Sequence, residues 1–423
     1  MPMVDLTFFA WLLVGAAVVQ LLVAYCYCQY FKQLNVTRMP EAQQSGVSVI
    51  MCIRGCDPTL RKSLINILDQ DFRDYLVHVM VDHREDIAWR IVHEIKQEFD
   101  VDDRLQIHEM TTPFETCGLK CSALVQGLGE LAPDTRYVAL LDADVATHGG
   151  WLSELIGPLE NDRTIGAVMG SQWFEPPVDA NWGAFVRSSW NAGALVPTVL
   201  FRNPWAGSLA MRLEDIHRAE LAKVWRFSMI DDGPVRNALE EIGLRMHFAP
   251  SLIMINREDC TFDYAWRWVA RMLTWSRLYE TTFFLPIMHA LFSNTVMLIN
   301  FGLLGWGLVV ADFGLVTAMG LGLISSGLLS VSAYAIVRGT AARSCRLRGE
   351  SLAPVAARQV GQMLLTVPLT QLVYGWGVCR ALVAKQITWR KITYQIHGKQ
   401  RIQMLGYRPF QDSSSNKDSH VSI

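Results

Sequence analysis

The sequence predicts an α/β fold in which a parallel sheet, covered by helices on both faces, is carried on about four membrane segments. Three observations predict it. A charge-free apolar run stands near the N-terminus, short β-branched runs alternate with helical stretches through the middle, and apolar blocks return near the C-terminus. The composition agrees with such a mixture. Charged residues make up 18% and hydrophobic residues 51% of the 423 positions, against about 25% charged in an ordinary soluble domain. That excludes a disordered chain, a disulfide-rich secreted mini-protein and a pure transporter. The formal net charge of −2 gives no electrostatic basis for a nucleic-acid partner.

Residues Leu6 to Cys28 carry no charge and are long enough for the roughly 20 residues that a hydrocarbon core requires. The run is too long for a signal-peptide core and lacks a basic region before it, so a transmembrane helix is expected over residues 1–31. Lys32 and Arg38 follow, while only Asp5 precedes, which places the next domain in the cytoplasm by the positive-inside rule. Further segments are expected at Ile287–Val310, Gly314–Val337 and Val360–Ala384, within a membrane region spanning 282–385. The last of these contains Pro368 and Arg380. A fourth crossing would put Lys385, Arg390, Lys391, Lys399 and Arg401 outside, against the charge rule, which would prefer a re-entrant or interfacial segment, so the side of the C-terminus stays open. Residues 386–423 read as a polar tail, disordered at its end.

Between about residues 40 and 281 the pattern changes to VSVIMCI, YLVHVMV, a weaker strand at Leu105–His108, and YVALL, separated by helical stretches at Leu60–Leu68, Ile87–Phe99 and Lys120–Leu131. Continuous apolar strands alternating with helices argue for a parallel sheet buried on both faces. In such sheets ligands bind beyond the carboxyl ends of the strands, and acids stand there. The nine Cys include two CxxxC pairs, Cys52/Cys56 and Cys117/Cys121. This spacing favours buried, reduced thiols over a zinc site.

Four features carry the chemistry. Asp82 directly follows YLVHVMV, where a carboxylate can accept hydrogen bonds from a base or ribose; alone, it would read as a loop or cap residue. Asp142-Ala143-Asp144 directly follows YVALL. Two carboxylates so placed can share a divalent ion with a diphosphate, because hard cations take oxygen ligands. Asp231-Asp232 precede a helix with Pro234 in its first turn. Adjacent acids cannot both be good caps, which frees one to act as a general base. Lastly, TFDYAWRWVARMLTWSR reads as an aromatic-rich amphipathic helix before the membrane block, with Arg267 and Arg271 one turn apart. A membrane-interface helix with Trp and Arg anchors would show the same pattern.

In this order the motifs resemble those of membrane-bound family 2 glycosyltransferases of the GT-A fold, and within them the ceramide glucosyltransferases and their bacterial relatives. CIRGCDPTLRKSL, DQDFRDYLVHVMVDHRED, GLKCSAL, WAGSLAMR and ITWRKITY add to the similarity, which extends over most of the chain. The resemblance implies an inverting transfer of a sugar, glucose foremost, from a UDP-sugar to a lipid hydroxyl such as that of ceramide, with Mn2+ or Mg2+ as cofactor. It implies that Asp82 binds uracil or ribose, that Lys120 and Asp142 lie at the nucleotide, and that Asp144, with Asp142, ligates the metal. Asp232, beside Asp231, would be the base, and Arg267 and Trp268 would bracket the diphosphate. The family motif opens with Gln or Arg three residues before its Arg-Trp. Here that position is Tyr264, and Arg271 is the cation available to replace it.

Two other functions fit parts of the pattern. A processive polysaccharide synthase of the hyaluronan or cellulose type would share the motifs but needs more spanning helices for its channel. A catalytically inactive scaffold would not need every acid.

Overall fold

The computed structural model describes residues 6–44, 46–111 and 113–410. The expected disordered end beyond residue 410 lies outside these residues. Helix α1 (Phe8–Gln33) leads into a domain built from β1 (Val47–Ile53), α2 (Leu60–Leu68), β2 (Tyr75–Val81), α3 (Ile87–Glu98), β3 (Leu105–Glu109), α4 (Leu119–Gly129) and β4 (Tyr137–Leu141). It continues through α5 (Trp151–Asn161), β5 (Ile165–Phe174), α6 (Trp182–Leu200), β6 (Ser208–Arg212), α7 (Leu213–Arg218), α8 (Leu221–Trp225), α9 (Gly233–Glu241) and β7 (Arg245–Asn256). Then follow α10 (Phe262–Tyr279), α11 (Phe284–Val309), α12 (Phe313–Leu347), α13 (Ala357–Val383), β8 (Gln386–Trp389), β9 (Ile392–Gly398) and β10 (Arg401–Leu405).

The main sheet has seven strands in the order β3-β2-β1-β4-β6-β5-β7. β1 runs parallel to both β2 and β4, and β5 parallel to β7. β6 runs antiparallel to β4 and β5, so the sheet is mixed rather than wholly parallel. Strands β1, β2 and β4 are buried along nearly their whole length, as continuous apolar runs in a doubly covered sheet should be. Chain direction reverses its progress between β1 and β4. That switch point opens a crevice at the carboxyl edge, and every acid-bearing loop named above enters it.

Three helices are long and apolar enough to cross a membrane: α1, α11 and α12. α12 continues beyond the apolar stretch and docks on the sheet domain. Arg338 pairs with Glu175 at the end of β5, and Arg348 donates to the carbonyls of Ser251 and Ile253. The base of α1 docks beside it, with Tyr27 and Phe31 fully buried and Phe31 against Phe248.

The fourth membrane segment expected from the sequence is not among the candidate spans, which agrees with the re-entrant or interfacial alternative. α13 is one continuous helix despite Pro368, but both its ends are tied to the catalytic side. Arg358 near its start pairs with Asp179, and Arg277 donates to the carbonyls of Leu382 and Ala384 at its end. It packs along α10 and α6. This arrangement removes the conflict with the charge rule, because the basic residues after α13 stay on the side of the sheet domain.

Those residues are not a tail either. β8, β9 and β10 form a three-stranded antiparallel sheet that packs on the catalytic domain. Leu119 N–H donates to Tyr394 Oη at 3.2 Å, and Met404 N–H to Glu115 O at 2.7 Å. The alternation of buried and exposed positions along β9 and β10 explains the error. A half-buried strand carries polar residues at every second position and reads as hydrophilic.

Candidate active site

A single cavity of about 880 Å³ opens at the carboxyl edge. Asp82, Lys120, Asp142, Asp144, Asp231, Asp232, Trp268 and Arg271 all line it, so eight of the nine positions singled out in the sequence share one cleft.

The acids arrive by different routes. Asp82 and Asp142 each follow a buried strand whose ladder fixes the backbone. Asp232 caps α9, its Oδ1 accepting from Gly233 N–H at 2.7 Å. Gly118, ahead of α4, lies so close to Met229 that a Cβ there would meet the Met229 carbonyl at 2.1 Å. This close approach lets α4 bring Lys120 to the acids. Lys120 Nζ lies 2.5 Å from Asp142 Oδ1 and 2.7 Å from Asp231 Oδ2. Burial works against its charge, but the two carboxylates outweigh burial and hold the ammonium well above its usual range.

One lysine does not neutralise the cluster. Burial, reinforced by Asp231, pushes Asp232 up to about 7. Burial and the charges of Asp142, Asp57 and Glu258 push Asp144 up to about 7, with Arg390 opposing them. Asp144 makes no side-chain hydrogen bond among the described residues. No three acidic, His or Cys side chains among the described residues converge to chelate an ion unaided. Asp142 and Asp144, two residues apart at the end of β4, are the carboxylates here that could hold a divalent ion together with a diphosphate.

Arg267 is the one of the nine that does not line the cavity. It is 55% exposed and pairs with Asp263 on its own helix. Arg271 and Trp275, by contrast, line the cavity, with the guanidinium 5.2 Å from the indole centroid. Arg271 Nε and Trp275 Nε1 are buried donors with no acceptor among the described residues. Read from Arg271, the helix carries Arg-x-x-Thr-Trp, with Thr274 in place of the motif's arginine. The two readings start at Tyr264 and Arg271, seven residues apart and therefore on nearly one helix face. Tyr264 lines the cavity too.

Several cavity residues were not singled out as site residues, although Arg390 and Trp205 lie within the similar strings ITWRKITY and WAGSLAMR. Arg390 sits in the β8–β9 hairpin, where it and Lys391 both have positive φ (51° and 64°). From there its guanidinium reaches Arg54 O at 2.8 Å and Asp57 Oδ2 at 2.7 Å. Glu258 and Asn256 join at the end of β7, and Trp205 at the start of β6. The aromatic-basic ITWRKITY string contained Arg390, but only a tertiary contact shows where it points.

The site is thus an acid-rimmed crevice at the switch point of an α/β sheet, the place where this fold class takes phosphate-bearing ligands. A sequence profile described as glycosyl transferase family 21 matches residues 12–402. The chain belongs to glycosyl transferase family 21 and is a glycosyltransferase. The family is numbered 21 rather than the 2 that the motifs suggested. No curated protein sequence matches the chain. Among solved structures it is similar to a mannosyltransferase, PcManGT, from Pyrobaculum calidifontis, in complex with GDP-Man and Mn²⁺. The TM-score is 0.49 at 18% identity, over 89% of this chain and 98% of that one. It is also similar to glucosyl-3-phosphoglycerate synthase from Mycobacterium tuberculosis, in complex with Mn²⁺, UDP-glucose and phosphoglyceric acid. There the TM-score is 0.36 at 14% identity, over 57% of this chain and 79% of that one. The family assignment rests on the sequence profile.

Proposed function

We propose that this enzyme transfers a sugar, glucose foremost, from a UDP-sugar to the hydroxyl of a membrane lipid such as ceramide, with inversion, on the cytoplasmic face of the bilayer. One observation carries the reading. The cavity that holds the acids continues without a break onto α1, α11, α12 and α13, where Val19, Val23, Leu285, Val331 and Val367 line it. A water-soluble acceptor needs no apolar passage, whereas a lipid needs one that ends beside the chemistry.

The donor lies across the switch point, with its base toward Asp82 and its diphosphate toward Asp142 and Asp144. Those two carboxylates would hold Mn²⁺ or Mg²⁺, which stabilises negative charge on the diphosphate. Arg271 presents a guanidinium and Trp275 an N–H to the same oxygens. Asp232 takes the proton of the acceptor hydroxyl. The oxygen then bonds to the anomeric carbon as the bond to the diphosphate breaks, and UDP departs. A single displacement inverts that carbon, so an α-linked donor gives a β-glycolipid. Asp231, held by Lys120, keeps the neighbouring acid in place. Lys32, Arg338, Arg343 and Arg346 flank the candidate spans on the sheet-domain side, as the positive-inside rule expects of a cytoplasmic domain.

Detergent-solubilised protein incubated with a panel of UDP-sugars, a divalent ion and lipid extracts is expected to yield a lipid heavier by one hexose, identified by mass. A long polymer would instead support the polysaccharide synthase. Hexose on no lipid at all would refute the lipid acceptor.

A further inference from the structure

The donor reading gives Asp82 to a nucleobase, yet Asp82 is already engaged by the chain's own C-terminal segment. Its Oδ1 accepts from the Tyr407 hydroxyl at 2.9 Å. Its Oδ2 accepts from the backbone N–H of Phe410 at 2.8 Å and from Arg54. The Phe410 ring lies on Gly55, just past the carboxyl end of β1. Gly55 has φ +73° there, and a Cβ would come within 2.9 Å of the ring. The Arg54 guanidinium stands 5.6 Å from the ring centroid and Lys391 Nζ 4.8 Å.

A flat aromatic ring on bare backbone, between two cations, with an N–H donated to a strand-end carboxylate, makes the contacts that a pyrimidine base would make. The cavity reaches the same place, because Ile53, Arg54 and Asp82 line it.

We infer that Tyr407–Phe410 occupies the nucleobase subsite as an intramolecular competitor of the nucleotide, and that the donor binds only when this segment leaves. The inference rests on the UDP-sugar reading. The segment is held by few hydrogen bonds, although Tyr407 also packs against the hydrophobic core. β10 ends at Leu405, and Gly406 makes the turn with φ +67° and open space around it. Among the described residues the hydrogen bonds of residues 406–410 go to Arg54 and Asp82 alone. Apparent affinity scales with the fraction of molecules whose site is free, so a segment docked nine-tenths of the time weakens nucleotide binding about tenfold.

The test uses the full-length protein in detergent, titrated with UDP in the presence of Mn²⁺. Phe410→Ala removes the ring and is expected to tighten UDP binding by at least about threefold. Tyr407→Phe, which removes one hydroxyl, shifts it in the same direction by less. Saturating UDP should also speed chymotryptic cleavage after Phe410, because the displaced segment becomes accessible. Weaker UDP binding by Phe410→Ala, or protection from chymotrypsin, would make the segment a wall of the donor site and overturn the inference. Unchanged affinity and cleavage would overturn it as well. Failure of the parent protein and both variants to bind UDP would instead refute the donor reading, and the inference with it.

Discussion

The cavity has two halves of different origin. At the rim, functional groups stand at the ends of strands and at a helix cap, and they are held by charge. Lys120 joins Asp142 to Asp231, and Arg390 joins Asp57 to the backbone of Arg54. Toward the membrane helices the lining is mostly apolar, drawn from the N-terminal helix α1 and from α11, α12 and α13 near the other end of the chain. The contrast teaches how work is divided: the strand ends position reacting groups, and the helices decide what reaches them. If that division is right, substitutions in one half should disturb different quantities from substitutions in the other.

The largest expected effect is at the base. Asp232→Asn should lower transfer by about 10²–10⁴-fold while UDP binding persists, as measured by turnover and titration on the same preparation. Unchanged turnover would remove Asp232 from its role. Next is Lys120→Met, which leaves Asp142 and Asp231 without their buried cation. Losing one partner of a buried pair costs about 3–5 kcal/mol, to be read in denaturant unfolding at neutral pH. The loss should shrink as pH falls, because protonation of the acids removes their repulsion. A stability independent of Lys120 would contradict the charge account of the rim.

A smaller effect concerns pH. Burial raises Asp232 to about 7, so below that value it holds its proton and cannot accept another. Transfer should fall as pH drops through about 7, approaching tenfold per unit on the acid side. A flat profile across this range would exclude a base so perturbed. The smallest effect separates two arginines one turn apart. Arg271→Ala should lower transfer by at least about tenfold, the scale of one charged hydrogen bond. Arg267→Ala, on the exposed face, should change it by less than about twofold, as for a surface ion pair. Equal losses would restore the original reading of the motif.

Much of the rim was legible because its signals are local. An apolar strand followed at once by an acid identifies both the element and the edge where a cleft opens, and Asp82, Asp142 and Asp144 all line the cavity there. Asp231 and Asp232 were legible through the capping and proline pattern of α9. Arg267 was singled out by the Arg-Trp pair, whereas the exposure that separates it from Arg271 depends on how α10 packs. Arg390, Glu258, Tyr407 and Phe410 were not singled out as site residues for a related reason. Their place depends on where the C-terminal sheet and β7 dock, and no short-range pattern encodes docking. The α13 segment read as apolar because it carries apolar residues on more than one face, some packed on α10 and α6 and others, such as Leu365 and Trp376, exposed.

The most direct test fills the helix-lined half and leaves the rim alone. Ala333 lines the cavity from α12, and Ala333→Trp would place an indole in the passage. Hexose transfer to lipid and UDP binding are then measured on the same sample. Transfer should fall by more than about tenfold while UDP affinity stays within a factor of two, since a buried indole occupies the volume of several acyl methylenes. Undiminished transfer to lipid with the passage filled would contradict the claim that the acceptor reaches Asp232 through the membrane helices.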